Sequence, residues 1–386
     1  MGRARTWVFW GHLAAGCLAG LVILVMSATG AVLAFQPQLL ERLERDQRYV
    51  SVPSDAVRLG PSALLRQAAA ARPRDAAVSI TMASDPSRSV TISFGPRATV
   101  FVDPYSGRVL GSGAPRVRAL FQSMTEWHRW LGATGDGKPV GKALTGAANL
   151  AFLVLAISGL FLWWPRRLSR QTLRTVAVPH LRAHGRLRDY NWHHVTGFWL
   201  APVLIVLTVT GAVMSYAWAG TLVYRLTGSP VPAQAGGASS ARMEGHEASR
   251  GAIPDQLDRL WADAAVRLPT WETMTLRMPG RAGAPLVFTM TDGAQWNRFA
   301  RTQLIMDGAT GAVVRWEPYA DASTGQKLRG WMRFAHTGEL GGLAGQMLAA
   351  LGCLAGVVLV WTGMALAWRR CAVWLVRVPR AAARAA

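Results

Sequence analysis

The chain has 386 residues, 51% of them apolar and only 16% charged, with a mean hydropathy of +0.18, a balance that excludes an ordinary string of soluble domains. The formal charge of +21 would suit a nucleic-acid binder, but it is concentrated in short stretches: residues 165–192 hold seven Arg against Asp189 alone, and the tail from Arg369 holds five Arg and no acid. Arg-dense stretches of this kind flank membrane spans on the cytoplasmic side, so membrane lipid is the expected partner and nucleic acid is not.

Residues 1–35 read as a first transmembrane helix. Arg3 and Arg5 precede it as in a signal peptide, but its apolar run exceeds the ~7–15 residues of such a core and has a twin later in the chain. Residues 36–142 form a long polar segment. Within it, over about 56–112, PSALLRQAAAA reads as a helix and VSITMA, SVTISF and ATVFVD alternate as strands do, closing on the turn Asp103-Pro104-Tyr105-Ser106-Gly107. Residues 143–164 are a second span, 165–192 a basic loop and 193–217 a third span. Residues 218–340 form a second long segment. It opens on a flexible linker, Gly228–Arg250, rich in Gly, Ala, Ser and Pro. A second small α+β unit follows over about 250–316, with the helix PDQLDRLWADAAVRL and the strands TWETMTLRM, APLVFTMTD and RTQLIMD. Residues 341–368 are the fourth span and 369–386 a basic tail. Apolar runs of ~20 residues are long enough to cross a bilayer. The charge pattern puts both termini and 165–192 in the cytoplasm and the long segments outside.

Cys17, Cys353 and Cys371 lie in spans or in the tail, so no disulfide framework is expected in the long segments, and no CxxCH occurs to attach a c-type haem. The chain repeats itself. Setting His12 on His193 also sets Gly16 on Gly197, Thr29 on Thr210 and Gly30 on Gly211; Ser158-Gly159 matches Thr362-Gly363 more loosely. The expected fold is therefore a mainly α membrane protein: four transmembrane helices as two parallel repeats, each with a small external α+β domain.

Histidine is costly in hydrocarbon, yet one stands beside each span. His12 and His193 open spans that run the same way, so they share the inner face. His128 and His336 precede spans that run back, so they share the outer face. Two pairs, each related by the repeat, suit the two axial positions of one haem iron, with no position left open. Two b-type haems are expected, with iron ligands His12, His193, His128 and His336. His194 is the local rival of His193, and the repeat favours His193. Thr145, Asn149 and Gln346 are polar residues in spans two and four. They are candidates to bond a haem propionate or a histidine Nδ1–H, against a plain helix–helix hydrogen bond. Arg129 and Arg333 are candidates to pair with propionates, against interfacial anchoring. His180 and His184 stand four apart, but in an Arg-dense loop without cysteine they read as solvated; His246 reads as solvent-exposed in the linker.

EWHRWLG (126–132), GKALTGAANLAFLVLAISGLFLWWP (141–165), NWHHVTGFW (191–199) and FAHTGELGGLAGQ (334–346), in that order, resemble the PepSY-associated transmembrane family over nearly the whole chain. That resemblance implies PepSY-like external domains, an inner-membrane location and a link to iron and siderophore uptake. It also implies b-type haems in a four-helix core, as in ferric-siderophore reductases, and it favours the first histidine of His193-His194. The expected activity is an electron conduit from a cytoplasmic flavoprotein reductase or quinol to a periplasmic ferric siderophore. No Gly-rich nucleotide fingerprint stands in the cytoplasmic parts, so the donor is another component. The alternative is a non-redox membrane-anchored module that binds or regulates a periplasmic partner.

Overall fold

The computed structural model describes residues 2–55, 57–95, 98–164, 177–180, 182–232, 253, 256–280, 284–294, 297 and 299–385. Arg166, Arg167, Arg170 and Arg174 of the basic loop lie outside them, as do His246 and most of the expected linker. The chain is mostly helical and forms two compact units. In chain order its elements are α1 (Arg3–Leu33), α2 (Gln36–Leu43), α3 (Arg45–Arg48), α4 (Pro61–Ala71), β1 (Ser79–Ala83), β2 (Val90–Ser93), β3 (Thr99–Val102), β4 (Val109–Gly111), α5 (Pro115–Trp130) and α6 (Lys138–Trp163). There follow α7 (Gly185–Ser215), α8 (Ala217–Leu226), α9 (Leu257–Arg267), β5 (Trp271–Arg277), β6 (Leu286–Asp292), β7 (Arg301–Met306), β8 (Val313–Glu317), α10 (Thr324–His336) and α11 (Gly342–Ala385).

The first unit comprises residues 1–35, 123–223 and 331–386. Four of its helical stretches, Arg3–Leu33, Gly135–Trp163, Gly185–Ser215 and Glu339–Ala372, are long and apolar enough to cross a membrane. Each of α1 and α7 packs against both α6 and α11, so the four helices close into a ring with α1 diagonal to α7. Close approach comes from small residues: a Cβ on Gly20 would touch Val360 and Met364, and one on Gly352 would press on Val203 and Leu207. Three helices outrun their expected bounds, α6 by starting at Lys138 rather than 143. α7 begins eight residues before 193, because Arg188 and Asp189 continue the helix rather than a loop. α11 runs on through the Ala- and Arg-rich tail, whose residues are good helix formers.

The second unit comprises residues 36–122 and 224–330. All eight strands form one antiparallel sheet, in the order β4-β3-β2-β1-β5-β6-β7-β8. The two strand sets, expected as separate units, are thus joined edge to edge: β1 pairs with β5 from Ser79↔Arg277 to Ala83↔Thr273. Period-2 alternation sends Ile80, Ile92, Met274, Leu276, Phe288 and Leu304 into a core with Leu64, Leu65 and Ala68 of α4 and Leu257, Leu260 and Ala264 of α9. On the other face the registers align Thr91, Thr81, Thr275, Thr289 and Gln303 in one row across five strands.

Two carboxylates, Asp258 on the surface and Glu44 in the interior, tie this unit together. Asp258 of α9 caps α4 from outside: its Oδ1 accepts the Ser62 N–H at 2.8 Å and its Oδ2 the Ser62 hydroxyl at 2.5 Å. Gly60, which occupies the cap position itself, has no side chain to do so. Glu44 is fully enclosed. It accepts from Arg118 at 2.5 and 2.6 Å, from Arg48 at 2.7 and 3.1 Å, and from the Ala114 N–H at 3.1 Å. Burial pushes its pKa up, and the hydrogen bonds of Arg118, Ala114 and Arg48 outweigh that, so the carboxyl titrates below its ordinary value.

Candidate functional site

The four span-edge histidines meet in the two pairs that chain direction predicts. The ring centroids of His12 and His193 lie 6.4 Å apart with planes at 83°. Those of His128 and His336 also lie 6.4 Å apart, with planes at 58°. His12 and His193 stand on the span helices α1 and α7. His128 and His336 stand near or at the C-terminal ends of α5 and α10, amphipathic helices that precede the spans. Two residues beyond each helix stands a glycine with positive φ, Gly132 at 75° and Gly338 at 76°, a conformation that turns the chain; after α5 it follows Leu131, itself at φ 54°. The spans then fold back closely. A Cβ on Gly141 would overlap the Trp130 carbonyl, and one on Gly345 the Gly338 carbonyl.

Every histidine has the same two neighbours, a hydroxyl and a glycine. His12 Nδ1 lies 2.8 Å from Ser158 Oγ, and His193 Nδ1 lies 2.9 Å from Thr362 Oγ1. His128 Nδ1 lies 3.1 Å from Thr29 Oγ1 and 2.9 Å from the Met26 carbonyl. His336 Nδ1 lies 3.1 Å from Thr210 Oγ1 and 2.9 Å from the Leu207 carbonyl. The glycine after each hydroxyl residue leaves room for the ring. A Cβ on Gly159, Gly363, Gly30 or Gly211 would come within 3.1–3.5 Å of the matching histidine Cε1.

The hydroxyls decide which ring nitrogen carries the proton. Thr362 donates its own proton to the Val358 carbonyl at 2.7 Å, Thr29 to Val25 at 2.7 Å and Thr210 to Val206 at 2.6 Å. Each oxygen therefore accepts from Nδ1–H, and the Met26 and Leu207 carbonyls can only accept. In those three Nε2 is left with its lone pair, and no described residue hydrogen-bonds Nε2 in any of the four. A neutral imidazole held through Nδ1–H is the form that ligates a metal.

An imidazole nitrogen sits ~2.0 Å from a metal it ligates, with the ring centre roughly 1.1 Å behind, so two rings sharing one ion have centroids about 6 Å apart. Both pairs meet that distance. Among the described residues no group of three or more His, Cys, Asp or Glu could hold a metal ion. Two imidazoles alone suit a metal that brings its other ligands with it, as haem iron does.

The other candidates fall elsewhere. His194 is held differently: its ring centroid lies 6.2 Å from that of His193, but its Nδ1 lies 2.8 Å from the Tyr190 carbonyl one turn back on its own helix, with no hydroxyl and glycine seat on a neighbouring span among the described residues, and its ring stacks on Tyr190 at 3.9 Å. Thr145 donates to the Arg129 carbonyl at 2.9 Å, Asn149 to Thr208 at 2.9 Å and Gln346 to Ala34 at 2.9 Å. Each of these bonds holds the backbone of a neighbouring segment beside the site. Arg129 lies over the Trp130 ring and Arg333 over the Phe334 ring, the posture of interfacial anchors. His180 and His184 are exposed; His180 lies in coil, its Nδ1 2.8 Å from Asn191, so the two do not share a helix.

The Nδ1 partners Ser158, Thr362, Thr29 and Thr210 were not singled out by type or burial. Their signal was recurrence: a Ser or Thr followed by Gly stands at corresponding places in all four spans. The family profile described as PepSY-associated TM region matches residues 9–370, and no curated protein matches the chain.

Proposed function

Because the chain belongs to the PepSY-associated transmembrane family, we propose that it holds two b-type haems and conducts electrons across a bacterial inner membrane. The donor is a cytoplasmic flavoprotein or a quinol, and the acceptor is a periplasmic ferric siderophore that releases its iron on reduction to Fe(II). In this reading both termini are cytoplasmic. The two halves are parallel repeats, and residues 36–142 and 218–340 are periplasmic, contributing PepSY-like domains at about 56–112 and 250–316. Haem held on two imidazoles supplies one-electron exchange and no open position for substrate.

The observation that carries the proposal is the pair of matched ring separations, each with Nδ1 committed and Nε2 unengaged. His12 and His193 would hold one haem, His128 and His336 the other. The four hydroxyls orient the rings through Nδ1, and the four glycines keep each ring close to a span. The pairs lie about 17 residues apart along both α1 and α7 (His12 to Thr29, His193 to Thr210), or roughly 25 Å at ~1.5 Å per residue. That is close to a hydrocarbon thickness of ~30 Å, so one site serves each face.

A membrane-anchored binding module without redox chemistry would account for the eight-stranded sheet, but it gives no role to four matched histidine settings. A reduced-minus-oxidised visible spectrum with pyridine haemochrome quantitation separates the two. Two haems b per chain are expected; a colourless protein after expression with ample haem overturns the proposal.

A further inference from the structure

Between the two histidine pairs the internal repeat breaks. Setting Ser158-Gly159 of α6 on Thr362-Gly363 of α11 also sets Asn149 on Cys353 and Phe152 on Gly356. Asn149 and Cys353 stand at the His128–His336 end: a Cβ on Gly211 would lie 3.0 Å from Asn149 Oδ1 and 3.1 Å from His336 Cε1, and one on Gly30 would lie 3.0 Å from Cys353 Sγ and 3.2 Å from His128 Cε1. Ser158 and Thr362 hold the other pair. Phe152 and Gly356 come three residues after the first of these levels and six before the second, roughly 4.5 and 9 Å of helix rise.

The two unlike positions meet. A Cβ on Gly356 would come within 3.3 Å of Phe152 Cζ and would overlap Ser27 of α1. Since α6 and α11 stand diagonal among the four spans, the phenyl group reaches past its neighbours and crosses the bundle interior. Exact symmetry would send a second phenyl into the same space, and the glycine leaves room for one. The other aromatics on this stretch of α7 and α11 are engaged elsewhere or face outward: Phe198 stacks on Trp163 at 3.9 Å, and Trp199 and Trp361 are 60% and 68% exposed.

We propose that Phe152 bridges the two haem sites, filling the space through which an electron passes from one to the other. The proposal rests on the two-haem reading and names the residue that couples its halves. One electron leaves a ferrous haem at one pair and reduces a ferric haem at the other; no bond is made or broken and no proton moves. Electrons tunnel more weakly through a void than through packed atoms. Shortening this side chain leaves a void, because the surroundings of a truncated core residue relax only in part. A residue that only cements neighbouring spans has no need to reach the diagonal helix.

The test uses the full chain in phosphatidylcholine nanodiscs. A ruthenium polypyridyl label on Cys371, nine residues past Thr362, injects an electron by flash at the His12–His193 end. Cys17 is also exposed, so the background is Cys17→Ser. Absorbance follows transfer between the haems, with His336→Ala as the reference in which the electron has nowhere to go. Phe152→Leu should slow the transfer several-fold while haem content and both midpoint potentials hold. Phe152→Met, unbranched and long enough to fill the gap, should recover much of the rate. Two haems with transfer at the wild-type rate in Phe152→Leu overturn the bridge and leave the conduit standing. Loss of haem from either pair in that variant also overturns it, because the phenyl would then be a wall of one site. A wild-type chain without haem removes the conduit and the bridge together.

Discussion

In the sheet unit, Glu44 has both carboxylate oxygens engaged, by two arginines and a backbone N–H, and Asp258 has both engaged by Ser62. In the helical unit, each of four histidines has Nδ1 engaged and Nε2 unclaimed by any described residue. The carboxylates act as structural fasteners, since both oxygens of each are already committed to partners within the unit. The imidazoles are held as firmly but from one side only. Half-satisfaction repeated four times in one pattern is what distinguishes a site from a fastener.

The comparison breaks most decisively at the histidines. His193→Ala should remove one haem and spare the other, so that haemochrome quantitation falls from about two per chain to about one. Loss of both would mean that the pairs are not independent. The matching break in the sheet unit is Glu44→Ala, which leaves two partly buried arginines facing each other. It should cost about 3 kcal/mol, read from urea unfolding followed by fluorescence, with haem content unchanged. The sign with pH follows from a carboxyl held below its ordinary value. Its stabilisation is fully present above the unfolded-state value of about 4.3 and is lost as pH falls through the lower folded value. Wild type should therefore lose its stability advantage over Glu44→Ala only in that acid range.

Smaller changes sharpen the contrast within the helical unit. Gly211→Val pushes a branched side chain towards His336 Cε1, 3.1 Å from where its Cβ would stand, and should deplete the His128–His336 haem while helix content by circular dichroism holds. Ser158→Ala leaves His12 Nδ1 without its hydroxyl, the one partner it has among the described residues. Haem affinity at that pair should fall about tenfold, the lower end for losing a group that orients a ligand. Thr210→Val should cost less, because the Leu207 carbonyl still accepts from His336. His194→Ala should leave haem content unchanged, since that ring is tied to Tyr190.

Much of this was legible in the chain. Apolar length marks the four spans, and alternating direction pairs His12 with His193 and His128 with His336. Thr29-Gly30 and Thr210-Gly211 stood in the repeat. Their role as seats for His128 and His336 did not, because it depends on which helices pack side by side. Thr145, Asn149 and Gln346 illustrate the same limit: their types suggest partners for a ligand, and only tertiary packing decides that backbone carbonyls lie nearer. The β1–β5 seam was hidden for another reason. Alternation tells a strand which face is buried but does not name its neighbour.

That seam bears on how the protein is made. Thr81 and Thr275, hydrogen-bonded across it, are 194 positions apart in the chain. At ~5–20 residues per second, synthesis takes roughly 10–40 s to bring β5 to β1. For that interval β1 is the unpaired edge of a half-built sheet, the kind of edge on which chains mispair. Two further helices able to cross the membrane, α6 and α7, must emerge before the partner strand does. Delayed or failed insertion of either would strand the first four strands with that edge open, so variants in those helices should surface as aggregation of the sheet unit.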